Sequence, residues 1–297
     1  MTTCEWYQRW LPGGRHTWTH PAVERYSFNP ANYGVAEIPE RDARGFVEEL
    51  HYLRAWLNAR LRYGMFYLDG PQEQLTGRLV GVAVLSVPQN VLVLSNPFPD
   101  LVPYYESLEV GRFILLDQVP HDAETWFFGE VRRLAAATGI RGLVMFSDPV
   151  PQWDDDGNLT TPGHVGGIYQ ATAGTRHTGT TGRRGVIVLP DGTVLGARTM
   201  AKIRQRERGH EAAERRLVRL GATAPRAGQG QAAWLAGALA DVHAVRVMRD
   251  GKLRYVMPVG GRRDRAKVRI VGPSLPFPKK DLGQLLLPLD VRHGRSA

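Results

Sequence analysis

The stretch from residue 106 to residue 169 constrains the fold most, because two strand patterns enclose a helix pattern within it. Apolar residues occupy every second position of 108–116, which predicts a strand, and Arg112 is the one charged residue on that face. Helical spacing of apolar residues over 127–138 predicts a helix, and the apolar run 143–146 predicts a buried strand after it. Crossovers of this kind are right-handed, so the β-α-β unit predicts two parallel strands.

Polar residues at the ends of these two strands predict the position of a site. Ligands of open α/β sheets gather beyond the carboxyl ends of parallel strands, where Asp117 and Asp148 lie. Arg112 requires an anionic neighbour or a wet edge, since burying an unpaired guanidinium is costly. Its partner is either a carboxylate such as Glu109, Asp117 or Asp148, or the phosphate or carboxylate of a substrate. Asp148 itself is either a general base or metal ligand, or a turn aspartate that accepts backbone N–H groups.

Two helical segments hold further candidate groups. His51 and Tyr52 lie within a helix predicted over residues 42–62. They are either acid-base or metal-binding groups, or ordinary surface and core side chains. Thr125, in the first turn of the next predicted helix, either directs its hydroxyl and free N–H groups toward an anion or caps its own helix.

A long irregular loop is predicted over residues 149–167. Loops of this length inside a compact domain are usually functional or disordered. His164 and Tyr169 flank the glycine pair at 166–167, which permits close approach of a substrate to the backbone. The acidic cluster at 154–156 matches only a fragment of a calcium-binding loop, so a solvated turn is the alternative.

The order of predicted elements assigns the fold class. A helix ahead of an antiparallel meander and a later β-α-β unit resembles the GNAT-type acyltransferase fold. We therefore predict an α/β fold with a GNAT-like mixed central sheet flanked by helices, and a basic α+β C-terminal extension. The predicted domains are an irregular N-terminal arm (1–40), a GNAT-like catalytic domain (41–197) and a basic helical and hairpin extension (198–297). The remaining predicted elements are strands at 65–68, 79–87 and 91–94, D-G hairpins over 185–197 and 245–257, and helices at 198–220 and 231–242.

Charge is distributed unequally along the chain, which indicates a polyanionic partner. Residues 1–148 carry 13 Lys and Arg against 17 Asp and Glu, a net charge of −4, whereas residues 149–297 carry 25 against 12, a net charge of +13. Arginine outnumbers lysine 33 to 5, which suits bidentate phosphate contacts, although coding bias is an alternative reason for that ratio. The asymmetry predicts a nucleic-acid-binding surface rather than a merely solvated charged face. Its candidate residues are Arg183, Arg184, Lys202, Arg204, Arg206, Arg208, Arg262, Arg263, Arg265, Lys267 and Arg269.

The composition of the chain argues against several other classes of protein. The longest uninterrupted apolar stretch, 80–86, is far shorter than the roughly 20 residues that span a bilayer. The first thirty residues lack an apolar signal-peptide core, so a cytoplasmic protein without a membrane partner is expected. Cys4 is the only cysteine, which leaves no internal disulfide and disfavours a thiolate zinc cluster or a cysteine nucleophile. The oligomeric state does not follow from the sequence.

Several separate motifs, in the same order, resemble the Mom family of bacteriophage DNA-modification proteins over roughly residues 45–225. These motifs are His51-Tyr52 and the runs 109–113, 123–127, 142–149, 163–171 and 202–209. The family is GNAT-like and converts the N6 amine of adenine in DNA to a carbamoylmethyl form, which shields phage DNA from restriction enzymes. The resemblance implies the same reaction here, with functional positions at His51, Tyr52, Arg112, Thr125, Asp148 and Tyr169.

The resemblance does not identify the donor molecule or a cofactor. GNAT enzymes hold the CoA pyrophosphate on a glycine-rich loop, but the corresponding connection at 116–122 contains no glycine. An acyl-CoA-like donor is therefore disfavoured, although the helix N-terminus remains an anion site. A carbamoylmethyl group is joined through carbon, so simple acetyl transfer is not the whole reaction. Family members are suspected of binding iron, for which His51 and Asp148 are the candidate ligands.

The proposed substrate also predicts how the base is reached. Adenine N6 lies inside the duplex, so base flipping is expected, with Tyr52, Trp126 or Tyr169 stacking on the extruded base. Two other functions fit the sequence less well. One is an acyltransferase acting on a small amine or a protein lysine, which tight acetyl-CoA binding would favour. The other is a DNA-coating protein, for which Arg112 and Asp148 would be dispensable.

Overall fold

The computed structural model describes most of the chain and divides it into two compact units. The described residues are 28–51, 55–68, 77–116, 119–120, 122–150, 152–153, 159–161, 163–191, 194–249 and 251–279. The first unit is built from segments within 28–150, 163–180 and 252–279, and the second from segments within 152–161 and 181–251. Residues 252–279 thus belong to the first unit, whereas the sequence predicts them as part of the C-terminal extension.

The helices and strands are numbered in chain order. They are β1 (Tyr33–Glu37), α1 (Glu40–Leu50), β2 (Ala59–Tyr67), β3 (Arg78–Ser86), α2 (Leu92–Ser95), β4 (Ser107–Leu115), α3 (Ala123–Ala137), β5 (Gly142–Ser147), β6 (Gln152–Trp153), β7 (Leu159–Thr161), α4 (Gly167–Ala171), β8 (Arg176–Thr180), β9 (Arg184–Val188), β10 (Val194–Leu195), α5 (Ala197–Gln205), α6 (His210–Arg219), α7 (Gln231–Asp241), β11 (Val245–Arg249), β12 (Leu253–Pro258) and α8 (Arg262–Lys267). A short 3-10 turn, Pro30–Asn32, precedes β1. No described helix has the length and apolar character needed to cross a membrane.

The first unit is organised by a seven-stranded sheet in the order β1-β2-β3-β4-β5-β12-β8. The pair β4–β5 is parallel, as predicted, and the other neighbouring strands are antiparallel. Helix α3 packs on one face through Phe127, Phe128 and Val131. Helix α1 packs on the other face, where Ala43 and Val47 are fully buried. The predicted fold class, a mixed sheet flanked by helices, is therefore confirmed.

The sixth strand of this sheet comes from a distant part of the chain. A D-G hairpin was predicted over 245–257, and that prediction is wrong. Strand β11 pairs with β9 in a separate three-stranded sheet, β10-β9-β11, whereas β12 lies between β5 and β8. Tyr255, Val256 and Met257 are fully buried, so both faces of β12 are covered. Burial of a central strand outweighs the local preference for a two-residue turn.

Three other predicted elements differ from the structure. The helix over 42–62 is wrong in its second half, because α1 ends at Leu50 and Leu61 pairs with Leu85 as part of β2. The apolar spacing in this second half has another cause. Residue 57 lies in a loop and residues 59 and 61 lie in β2, and all three pack against apolar clusters. The strand predicted at 91–94 is instead the short helix α2. The helix over 198–220 is interrupted between α5 and α6, where Arg206 and Gly209 have φ of +50° and +86°.

The second unit has its own apolar core. Trp234, Leu235 and Ala238 of α7 are buried together with Ile203 of α5 and Leu217 of α6. Strands β9 and β10 pair antiparallel with Val188 opposite Val194, so the first predicted D-G hairpin is confirmed. The acidic cluster at 154–156 lies outside the described residues.

Candidate active site beyond the parallel strand pair

The site is positioned by the point at which β4 and β5 stop pairing. Residues 107–110 of β4 pair with residues 142–145 of β5, and the described pairing ends there. Beyond that point β4 remains paired with β3, and β5 with β12. The carboxyl-terminal ends of the two parallel strands are therefore not hydrogen-bonded to each other, which is the place where open α/β sheets bind ligands.

A β-bulge at Gly111 decides which way the site residues of β4 face. Val110 lies opposite Leu85 and Arg112 lies opposite Val84, so Gly111 is the extra residue. The bulge reverses the alternation of side chains, which places Arg112 and Glu109 on the same face. The prediction that Arg112 shares the face of Val110 is therefore wrong.

Only glycine fits at the bulge. A Cβ on Gly111 would lie 2.5 Å from Ser86 Oγ and 2.7 Å from Leu57 Cδ2, closer than real Cβ contacts. The segment that follows α1 thus packs directly over the bulge. A larger residue would force either the bulge or that segment to move.

Arg112 ties the bulge to the same segment. Its Nη1 donates to the Gly111 carbonyl at 2.7 Å and its Nη2 donates to the Ala55 carbonyl at 2.8 Å. Burial raises the pKa of the Glu109 carboxyl, and the positive charges of Lys252 and Arg112 act in the opposite direction. Glu109, Arg112 and Lys252 therefore form one charged group at the end of the paired region.

His51 lies beside this charged group. It follows the last residue of α1, its backbone N–H donates to the Val47 carbonyl at 3.0 Å, and its side chain is 7% exposed. Burial, followed by repulsion from Arg112 and His164, lowers its pKa from 6.5 to about 3. The imidazole is thus neutral at physiological pH. His51 is placed by the end of a helix, and not by the middle of one as predicted.

His164 connects this group to the end of β5. Its backbone N–H donates to the Asp148 carbonyl at 2.8 Å. The Asp148 carboxylate accepts the Val150 N–H at 3.1 Å, which is the second of the two roles predicted for this residue, that of a turn aspartate. The structure therefore gathers His51, Arg112 and His164, and joins Asp148 to them through the main chain.

Tyr169 packs against the segment that contains His164, close to Gly166. It is 6% exposed and its ring centroid lies 6.0 Å from that of Phe128 and 5.7 Å from that of Tyr255. A Cβ on Gly166, whose φ is +71°, would lie 2.9 Å from the Tyr169 ring and 3.0 Å from the Tyr255 ring. The glycine therefore allows the chain to pass close over two aromatic rings.

Two residues that the sequence analysis missed hold this segment in place. The Tyr255 hydroxyl donates to the Val165 carbonyl, and Gln170 Nε2 donates to the same carbonyl at 2.7 Å. Burial raises the pKa of Tyr255, while hydrogen bonds with Gln170 and Ser147 lower it. The sequence offered no signal for this arrangement, because Tyr255 comes from the strand that was assigned to a distant hairpin.

The other predicted site residues lie elsewhere or outside the described residues. Thr125 is exposed, and its hydroxyl donates to the Asp122 carbonyl at 3.1 Å within the first turn of α3. Trp126 packs against Phe28 and Tyr33, with ring centroids 5.4 Å and 6.4 Å away. Tyr52 and Asp117 are not among the described residues.

The described residues do not form an iron centre. Within the described part of the chain, no three His, Cys, Asp or Glu side chains are grouped so that they could hold a metal ion. His51 and Asp148 alone are an insufficient donor set.

The basic residues predicted to contact DNA are divided between the two units. In the first unit, Arg262, Arg263, Arg265 and Lys267 lie on α8, and Arg269 follows it with a two-bond contact to Asp100 at 2.7 and 2.8 Å. The second unit contains Lys202 and Arg204 on α5, with Arg206 and Arg208 after it, and Arg183 and Arg184 at the start of β9. Each unit therefore has its own group of basic residues.

Comparison with known proteins identifies one family. The model of the Mom protein family matches residues 32–279. No curated protein matches the chain. Similar solved structures include a tandem GNAT protein from the clavulanic acid biosynthesis pathway, with 11% identity and a TM-score of 0.37 over 77% of this chain and 99% of that chain. Another is the aminoglycoside 6'-N-acetyltransferase from Enterococcus faecium, with 11% identity and a TM-score of 0.29 over 77% of this chain and 98% of that chain. Likenesses this weak do not bear on activity.

Proposed function

Because the chain belongs to the Mom protein family, we propose that it is a DNA-modification enzyme that converts the N6 amine of adenine in duplex DNA to a carbamoylmethyl form. The observation that carries this proposal is the extent of the family match, which spans 32–279 and includes every described residue of the site. The charged group beyond the β4–β5 pair supports it, because its residues are of the types that such a transfer requires.

The proposed reaction joins N6 to a carbon of the donor. The new N–C bond forms as the leaving group of the donor departs with its electron pair, and N6 loses one proton. The N6 lone pair is delocalised into the adenine ring, so the amine is a weak nucleophile and removal of its proton has to accompany attack. A proton acceptor and a group that stabilises developing negative charge are therefore both required.

The described residues suit these two roles. Glu109 is a suitable proton acceptor, because burial raises its pKa and so makes the carboxylate more basic. Arg112, held by two backbone carbonyls, offers a fixed positive charge toward an anionic donor or leaving group. His51 is neutral and serves as a hydrogen-bonding partner for the base rather than as a second cation. Asp148 and Tyr169 then act by positioning the segment that carries His164.

Access to N6 in a duplex requires the target base to leave the stack. Of the three aromatic residues considered for stacking, Tyr169 and Trp126 are packed against other rings of the first unit. Tyr52, next to His51, is therefore the proposed stacking group. The basic groups on α8 and α5 would contact backbone phosphates, so DNA affinity should fall steeply with salt concentration.

Mass spectrometry of nucleosides tests the proposal directly. The full chain is expressed in bacteria, and genomic DNA is digested and analysed for carbamoylmethyl adenine. Wild type and the control Arg133→Ala, which changes an exposed arginine paired with Glu130, should both give the product. Arg112→Met should not. Unmodified adenine in DNA from cells that contain soluble wild-type protein would overturn the proposal, and an N-acyl adenine would retain the substrate but overturn the product.

A further inference from the structure

Two arginines from distant elements of the first unit lie near enough to repel each other, and neither has an acidic partner among the described residues. Arg132 is on α3 and Arg265 is on α8. The Nε of Arg132 is buried and has no hydrogen-bond partner, and within the described part of the chain neither guanidinium forms an ion pair. Burial, followed by repulsion from Arg265, lowers the pKa of Arg132. The neighbouring Arg133 differs in having an acidic partner, since it forms an ion pair with Glu130 at 2.7 Å.

The turn after α4 completes this group. The guanidinium of Arg265 lies against Gly174, where an added Cβ would be 3.8 Å from Nη1. The next residue, Thr175, has a buried hydroxyl that finds no hydrogen-bond partner among the described residues. Asp264 does not neutralise the pair, because its side chain faces the start of α8, 3.3 Å from a Cβ placed on Gly261.

This arrangement is unfavourable unless an anion occupies it. A half-buried guanidinium beside a second cation loses hydration and gains repulsion, and no carboxylate in the described part of the chain offsets either cost. A phosphate supplies several acceptor oxygens, which suit guanidinium forks and a hydroxyl together. We propose that Arg132, Arg265 and the turn at 172–175 form a binding site for a backbone phosphate of DNA. The identity of this ligand rests on the proposed function, in which DNA is the substrate.

The surrounding charge favours a polymer over a small phosphate compound. Arg262, Arg263 and Lys267 are exposed on α8 beside Arg265, so positive charge continues along the surface beyond the arginine pair. A single small anion would contact only Arg132 and Arg265. Successive phosphates of one DNA strand would also contact the other basic residues of α8. Arg132 is then the residue that fixes the register of the DNA strand, because its buried Nε lies on a long helix of the first unit.

DNA binding by the full chain tests this site without requiring catalysis. Affinity for a fluorescent duplex is measured by anisotropy over a range of salt concentrations for wild type, Arg132→Met, Arg265→Met, the double variant and the control Arg133→Met. Each site variant should bind at least about tenfold more weakly, since a charge-assisted contact is lost. The salt dependence should also decrease by about one counterion. The double variant should lose less than the product of the two single effects, because both arginines contact one phosphate. Arg133→Met should bind like wild type.

Further measurements distinguish loss of the phosphate site from a folding defect, from binding of a small phosphate compound and from failure of the proposed reaction. Arg132→Met should be no less stable than wild type by thermal unfolding, because methionine keeps the packing and removes an unpaired charge. Wild-type affinity and salt dependence in Arg132→Met would overturn the proposal. If inorganic pyrophosphate raises the melting temperature of wild type but not of Arg132→Met, and DNA binding by the variant is unchanged, the site takes a small phosphate and the DNA assignment is overturned. Weakened duplex binding in a protein that leaves adenine unmodified would instead refute the proposed reaction and retain this site.

Discussion

Replacing His51 with glutamine should make the stability of the protein less sensitive to acid. The His51 side chain is 7% exposed, and burial, followed by repulsion from Arg112 and His164, lowers its pKa from 6.5 to about 3. Between those two values the imidazole is protonated in the unfolded chain and neutral in the folded chain. Its contribution to stability is therefore complete above about pH 6.5 and is lost as the pH falls toward about 3.

The size of this effect follows from proton linkage. When the unfolded chain binds a proton that the folded chain does not, the free energy of unfolding falls by about 1.4 kcal/mol for each unit by which the pH is lowered. Lowering the pH from 6.5 to about 5 should thus remove about 2 kcal/mol through His51, and the loss approaches about 5 kcal/mol near pH 3. Domains are typically stable by only about 5–15 kcal/mol, so the effect is large enough to measure. Glutamine gains no proton over this range and lacks the effect.

Urea unfolding of the full chain at about pH 7.5 and about pH 5 measures the difference. His51→Gln should lose about 2 kcal/mol less than wild type between these two conditions. His243→Asn is the control, because His243 is exposed and asparagine tolerates its φ of +53°. The control should follow the pH dependence of wild type.

Equal losses for wild type and His51→Gln would refute the argument that His51 is buried and neutral. Arg112→Met separates the causes of the low pKa. Removing that charge should raise the His51 pKa, followed by NMR, but should leave it below 6.5, since burial is the larger cause. A return of the pKa to 6.5 would mean that the charge dominates.

Four further substitutions test the frame of the site and one exposed ion pair. Gly111→Ala places a Cβ 2.5 Å from the nearest side-chain oxygen, so it should cost about 1–3 kcal/mol in urea unfolding and abolish adenine modification. Gly129→Ala, which meets nothing within 4 Å in α3, should instead stabilise by up to about 1 kcal/mol, and equal results for the two glycines would contradict the role of the bulge. Tyr255→Phe removes the hydroxyl that bonds the Val165 carbonyl and should cost about 1–2 kcal/mol with reduced modification; unchanged stability would show that this bond does not hold the loop. Arg269→Ala should leave the melting temperature unchanged, because its ion pair is exposed, and a clear decrease would show that the pair is structural.

The sequence alone determined the β-α-β unit, because its signals are local. Two-residue periodicity before the helix and a short apolar run after it are properties of neighbouring residues, and the handedness of the crossover then makes the strands parallel. The prominence of Arg112 was also visible in the sequence, since a guanidinium among apolar positions is unusual. The alternatives for its partner stayed open, because a partner is a matter of distance in space.

The tertiary structure decided where these residues point. A single extra residue at Gly111 reversed the faces of β4, and periodicity cannot reveal a bulge that is selected by packing against Leu57 and Ser86. The position of β12 was equally hidden, since Asp250-Gly251 is a strong local turn signal that burial on both faces of a central strand overrides. Local patterns thus fixed which elements form around the site. Long-range burial decided which of their side chains meet, because its free energy depends on partners that are far apart in the chain.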